Sequence, residues 1–209
     1  MVAKQAGVAG DWRQPLPVAT DRGLRPSLDD LGPFRWAPAK APDFQLVDSN
    51  NQVRSLNDYK GKPVVVIFYL GHGCLHCAEQ LQKFAPATKN FREAGFELIA
   101  VSTDEQKTLS RAYDDLDEKF SFPLVADPKL NTFKKYRCFD DFEGQSLHGT
   151  FVVDGQQRIR WMDISYEPFM DPDFVLKEAV RLIGQDGVTK GLPGITAEPN
   201  DIEDIGAEE

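Results

Sequence analysis

Cys74 and Cys77 stand two residues apart in the run Gly71-His72-Gly73-Cys74-Leu75-His76-Cys77. A Cys-x-x-Cys pair can close a disulfide over its two intervening residues, one sulfur attacking and the other resolving the mixed disulfide. The run follows the apolar segment Val64 to Leu70, and a helix is expected to begin near Cys77. A thiol at a helix N-terminus faces the positive end of the macrodipole. That lowers the thiol pKa and supplies a thiolate near neutral pH. The competing reading is a buried pair or half a zinc site, but a second cysteine pair is missing, since only Cys138 remains. His76 lies between the two cysteines. Its charge would stabilise a thiolate, favour the dithiol and make the disulfide a better oxidant. Cys138 reads either as a distal resolving cysteine or as a small buried hydrophobe.

Strands and helices must alternate to hold such a site. Asp43 to Val47 and Gln52 to Ser55 flank the turn cluster Asp48-Ser49-Asn50-Asn51 and predict a hairpin. Val64 to Leu70 is a continuous β-branched and aromatic run, the pattern of a strand buried on both faces. The next helix extends to about Ala94, with Gly95 ending it and Pro86 expected to kink it. Phe96 to Ser102 predicts a second buried strand, Asp104 to Lys119 a polar helix, Pro123 to Ala126 a short strand and Leu130 to Tyr136 a short helix. Asp140 to Glu143 reads as a solvated charged loop. Thr150 to Asp154 and Arg158 to Ile164 predict a hairpin, and Asp171-Pro172 opens a last helix with an N-cap followed by proline. This order predicts an α/β domain with a central mixed sheet covered by helices. Tyr166 to Phe169 is a candidate rim for the site.

The chain has 209 residues, a formal charge of −9, 41% hydrophobic residues and 14 phenylalanines, which excludes a wholly disordered chain. The acidic balance argues against nucleic acid as a partner. No apolar run reaches the roughly 20 residues a membrane helix needs. The first residues carry no apolar signal region, so a cytoplasmic setting is expected. Residues 1–35, rich in Gly, Pro, Ala and Arg, read as an arm or linker; 36–185 read as the redox domain; and 186–209, with seven acidic residues and one lysine, read as a flexible acidic tail.

Ala41-Pro42-Asp43-Phe44, Leu56-Asn57-Asp58-Tyr59-Lys60-Gly61-Lys62-Pro63 and Val64–Tyr69 resemble the opening of peroxiredoxins of the alkyl hydroperoxide reductase / thiol-specific antioxidant family. Gly149-Thr150-Phe151-Val152-Val153-Asp154-Gly155 resembles the family's penultimate strand. The resemblance covers roughly residues 36–185 and implies a thioredoxin-like fold with an N-terminal hairpin. Peroxiredoxins carry P-x-x-x-T-x-x-C after F-Y. Counted without a gap from Phe68-Tyr69, Leu70 takes the Pro position, Cys74 the Thr position and Cys77 that of the peroxidatic cysteine. The family's active-site Arg falls at His148. Of that set only the cysteine is retained. The segment also resembles thioredoxin-type disulfide reductases and the peroxiredoxin-like branch whose loop reads G-C-x-x-C. In the thioredoxin alignment His148 takes the cis-Pro position that faces the cysteines. His76 takes a position that a strongly oxidising periplasmic disulfide oxidase also fills with histidine. All three histidines, His72, His76 and His148, then belong to the site or its wall. The thioredoxin register makes the first cysteine the nucleophile and the peroxiredoxin register the second. The loop before Cys74 is one residue longer than in typical thioredoxins, which fits the peroxiredoxin register better.

The resemblance thus implies a thiol-dependent oxidoreductase using Cys77, Cys74, His76 and His148, without a cofactor. Its substrate would be a peroxide or a protein disulfide, and its reductant of thioredoxin or glutathione type. The alternative is a copper- or zinc-binding module on the same fold using Cys74, Cys77 and His148, since thiolate and imidazole together suit Cu(I) or Zn. Copper-delivery proteins on this fold have that layout, although with C-x-x-x-C spacing. A third reading is a non-enzymatic interaction domain.

Overall fold

The computed structural model describes residues 38–114 and 120–184. The expected arm, the acidic tail and the segment 115–119 of the expected polar helix lie outside the described residues. Strands β1 (Gln45–Asp48) and β2 (Val53–Ser55) form the N-terminal hairpin. Asp48 shapes its turn, its carboxylate accepting from the backbone N–H groups of Asn50 and Gln52. A short 3-10 turn, Leu56–Tyr59, follows, closed by a capping box between Ser55 and Asp58. Then come β3 (Val64–Tyr69), α1 (Leu75–Glu93), β4 (Glu97–Ser102), α2 (Gln106–Asp114), β5 (Leu124–Ala126) and α3 (Asn131–Lys135). A small hairpin, β6 (Phe139–Asp140) and β7 (Gln145–Ser146), precedes β8 (His148–Val153), β9 (Ile159–Ser165) and α4 (Pro172–Gly184).

The seven-stranded sheet has the order β2-β1-β5-β4-β3-β8-β9. β3 pairs parallel with β4 and antiparallel with β8, so the sheet is mixed and β3 is central. Successive residues of a strand point to opposite faces. Val65, Ile67 and Tyr69 accordingly join the core beneath α1, α2 and α4, with Phe84, Leu81, Leu109 and Val175. Val64, Val66 and Phe68 join the opposite core with Phe133, Tyr136 and Phe151. All six residues of β3 are buried, as the unbroken apolar run predicts. Helix α1 is a single element through Pro86. No helix among the described residues is long and apolar enough to cross a membrane.

Two consequences of this topology position the site. The C-terminal end of β3 delivers the chain into the N-terminus of α1, where both cysteines lie. The neighbouring strand β8 runs the other way, so its first residue, His148, starts at that same end. Gly149 follows it for a steric reason. A Cβ there would collide with the sulfur of Cys138 and the ring of Phe151.

Candidate active site

Cys74 is the N-cap of α1, and its Sγ accepts the backbone N–H of Cys77 at 3.3 Å. Cys77 lies in the first turn and is 1% exposed. The two are joined as a disulfide, with α-carbons 5.3 Å apart. Cys77 Sγ also accepts the backbone N–H of Leu70 at 3.2 Å. When the pair is reduced, a thiolate on Cys77 would meet that donor and the positive end of α1, both of which favour the anion.

The loop from β3 to α1 is held by the end of β4. Thr103 Oγ1 donates to the Leu70 carbonyl, and the His72 N–H donates to Asp104 Oδ2 at 2.8 Å. Gly71 makes this possible. Its φ is +94°, and a Cβ would lie 2.6 Å from the Asp104 carboxylate. Such a conformation is one glycine adopts without strain.

His148 is 4% exposed and faces the sulfurs. Its Nε2 is 3.2 Å from Cys77 Sγ and 3.8 Å from Cys74 Sγ. Its Nδ1 lies 2.8 Å from the Tyr166 carbonyl, which can only accept, so Nδ1 carries the proton. Nε2 of the neutral ring therefore points a lone pair at the disulfide. Burial pushes the His148 pKa below its ordinary value. The Tyr166 carbonyl and Glu167 oppose that shift, while His76 adds to it. In this oxidised state the ring is a neutral base rather than the positive charge an arginine would bring.

The other histidines turn elsewhere. His76 is 58% exposed at its side chain, and its Nδ1 meets Glu167 Oε2 at 3.2 Å, at the rim. His72 lines a cavity of about 70 Å³ on the α2 side of the loop, with Tyr69, Ala78, Leu81 and Leu109. Leu75, between the cysteines, is 73% exposed and leaves an apolar side chain beside the disulfide. The Tyr166–Phe169 segment does form the rim. Gln80 is buried one turn below Cys77, and its Nε2 donates to the Phe169 carbonyl at 3.1 Å, tying that segment to α1. Tyr166 Oη donates to Asp140 Oδ2.

Cys138 is a free thiol in the core on the opposite face of the sheet from Cys77. Burial pushes its pKa well up, so it stays protonated. Its packing against Gly149 is that of a small hydrophobe. Cys74, Cys77 and His148 are the residues this topology brings together. The Leu70 N–H and the Tyr166 carbonyl complete the arrangement, and as backbone groups they have no signature in side-chain identity. Glu167 and Asp104 belong to it as well, through contacts no local motif announces.

Comparison with known proteins agrees with this architecture. The family model for the AhpC/TSA family matches residues 38–162. Peroxiredoxin 2 of Picrophilus torridus is 31% identical over 127 residues, covering 59% of this chain and 63% of its own length. The mitochondrial thioredoxin-dependent peroxide reductase of Drosophila melanogaster is 29% identical over 159 residues, covering 70% of this chain and 68% of its own. The crystal structure of peroxidoxin BcpB from Mycobacterium tuberculosis superposes with a TM-score of 0.62 at 22% identity, over 69% of this chain and 96% of that one. This chain spans somewhat under two-thirds of the length of the Picrophilus relative. The family model spans more than half of the chain, and the chain belongs to the AhpC/TSA family.

Proposed function

We propose that this chain is a thiol-dependent peroxidase whose working couple is Cys74 and Cys77, with a thioredoxin-type dithiol as electron donor. The observation that carries this is the His148 Nε2 lone pair 3.2 Å from Cys77 Sγ, at the N-terminus of a helix. In the reduced state that nitrogen takes the Cys77 proton, and the Leu70 N–H steadies the thiolate. The thiolate attacks a peroxide oxygen: an S–O bond forms and the O–O bond breaks. The departing alkoxide or hydroxide takes the proton back from His148 as alcohol or water. Cys74 then attacks the sulfenic sulfur of Cys77, closing the disulfide and releasing water. A donor dithiol attacks the more exposed sulfur, Cys74, and two exchanges restore the starting state. Such donors operate in the cytoplasm, which is the compartment this reading implies.

The Thr and Arg of the family's usual motif stand here as Cys74 and His148. Fewer donors then meet the charge developing on the peroxide oxygens, so a slow peroxidase is expected. Protein disulfides are the competing substrate, because Cys74 is open enough to be the attacking sulfur.

Peroxide consumption coupled to a thioredoxin system separates the two. Cys77→Ser should abolish turnover. Cys74→Ser should allow a single oxidation that stops at sulfenic acid, caught by a dimedone-type trap. If Cys74→Ser instead prevents the first oxidation, and Cys77→Ser accumulates a mixed disulfide with a protein partner, the chain is a disulfide reductase with Cys74 as nucleophile.

A further inference from the structure

We infer that the reduced chain also binds one soft, thiophilic cation, Cu(I), through Cys74 Sγ, Cys77 Sγ and His148 Nε2. The three donor atoms lie within 4.8 Å of one another. A three-coordinate ion with bonds of about 2.0–2.3 Å to nitrogen and sulfur separates those donors by about 3.8 Å. The sulfur-to-nitrogen distances here, 3.2 and 3.8 Å, approach that spacing before any adjustment. Reduction breaks the S–S bond, and with the α-carbons 5.3 Å apart the sulfurs can part by side-chain rotation.

The imidazole is prepared in the way metal-binding imidazoles are. Nδ1 donates to the Tyr166 carbonyl at 2.8 Å, which fixes the tautomer and aims the Nε2 lone pair at the sulfurs. Burial then selects the ion. His148 is 4% exposed and Cys77 1%, so a fourth, water ligand has little access. Zn(II) wants four ligands in a tetrahedron, whereas two thiolates and an imidazole form a soft set suited to Cu(I). The two thiolates outweigh one positive charge, and the Leu70 N–H and the N-terminus of α1 face the excess.

Binding exchanges two thiol protons for one cation, and no electron moves. The disulfide offers no thiolate, so oxidation of the pair expels the ion. The site needs only the dithiol and His148 and does not depend on peroxidase activity.

The test is an anaerobic titration of the full chain, reduced with a phosphine and freed of metal, with Cu(I) in competition with bathocuproine disulfonate. One Cu(I) per reduced chain is expected, with both thiols of the pair protected from iodoacetamide. The oxidised chain should leave all copper with the chelator. His148→Ala should weaken Cu(I) binding about tenfold or more while still forming its disulfide reversibly. Cys138→Ser should leave the stoichiometry at one. Equal affinity in His148→Ala and the parent chain would overturn the proposal, as would loss of stoichiometry in Cys138→Ser or retention of copper by the oxidised chain. So would failure of the reduced parent chain to compete with the chelator. Peroxide turnover of the metal-free chain, measured alongside, reports separately on the peroxidase reading.

Discussion

Burial keeps the His148 ring neutral in the oxidised chain, and that has a measurable consequence for stability. The unfolded chain takes up a proton at His148 near pH 6.5. The folded chain takes it up only at lower pH. In that window the unfolded state binds more protons, so stability rises with pH and falls on acidification. His148→Gln removes this component. Denaturant midpoints of the oxidised chain between about pH 5 and 7.5 should therefore show a shallower pH slope for His148→Gln. Identical slopes would place the His148 proton elsewhere. Around the ring, Glu167 pulls the pKa up and His76 pushes it down, and both are exposed enough to be screened by salt. His76, expected to bring a charge that stabilises the thiolate, has its Nδ1 3.2 Å from the Glu167 carboxylate. At this scale Cys74 and Cys77 were legible because their spacing is local. His148 became legible only through the family resemblance. The Tyr166 carbonyl and the Leu70 N–H were not legible, since any residue type offers the same backbone groups.

The elements that read clearly are those with a strong period or a long apolar run: β3, β4, the N-terminal hairpin and α4. The charged loop expected at Asp140 to Glu143 is the exposed turn between β6 and β7, with Asp140 closing β6, and the two-residue strands on either side show no alternation a sequence could reveal. The 3-10 turn carries a local sequence signal. Ser55-x-x-Asp58 is a capping pattern, and both of its hydrogen bonds are formed. β8 begins at His148, two residues before the expected Thr150, because Gly149 has weak strand propensity yet is required by packing. That packing is open to test. Gly149→Ala would force its Cβ into Cys138 and Phe151, an overpacking that costs typically about 1–3 kcal/mol. Relief by movement of β8 carries His148 with it. The variant should therefore unfold at lower denaturant and also turn over peroxide more slowly. A destabilised chain with undiminished turnover would detach His148 from the chemistry.

Across the whole molecule, the net charge is unevenly spread along the sequence. Among the described residues, the buried hydrophobic ones run from Ala41 to Ile183 and form the two clusters on either side of the sheet. Both cysteines and the three groups around their sulfurs lie within the same span. Residues 186–209 hold seven acidic residues against one lysine and supply most of the formal charge of −9. Net charge governs solubility and association more than fold. We propose that residues 36–185 form the redox domain and that 1–35 and 186–209 are accessory to it. A chain cut to 36–185 should keep its unfolding free energy within about 0.5 kcal/mol, the scale of substitutions away from packed features. Its rate with hydrogen peroxide and a small dithiol should be unchanged, because neither reagent is charged enough to sense the tail. With a protein donor the outcome divides. An unchanged rate at low and high salt makes the tail a solubilising terminus. A rate that differs from the parent chain's only at low salt makes it an electrostatic contributor to donor encounter. Loss of stability or of the small-dithiol rate would show that the flanking segments belong to the redox domain and would overturn its boundaries.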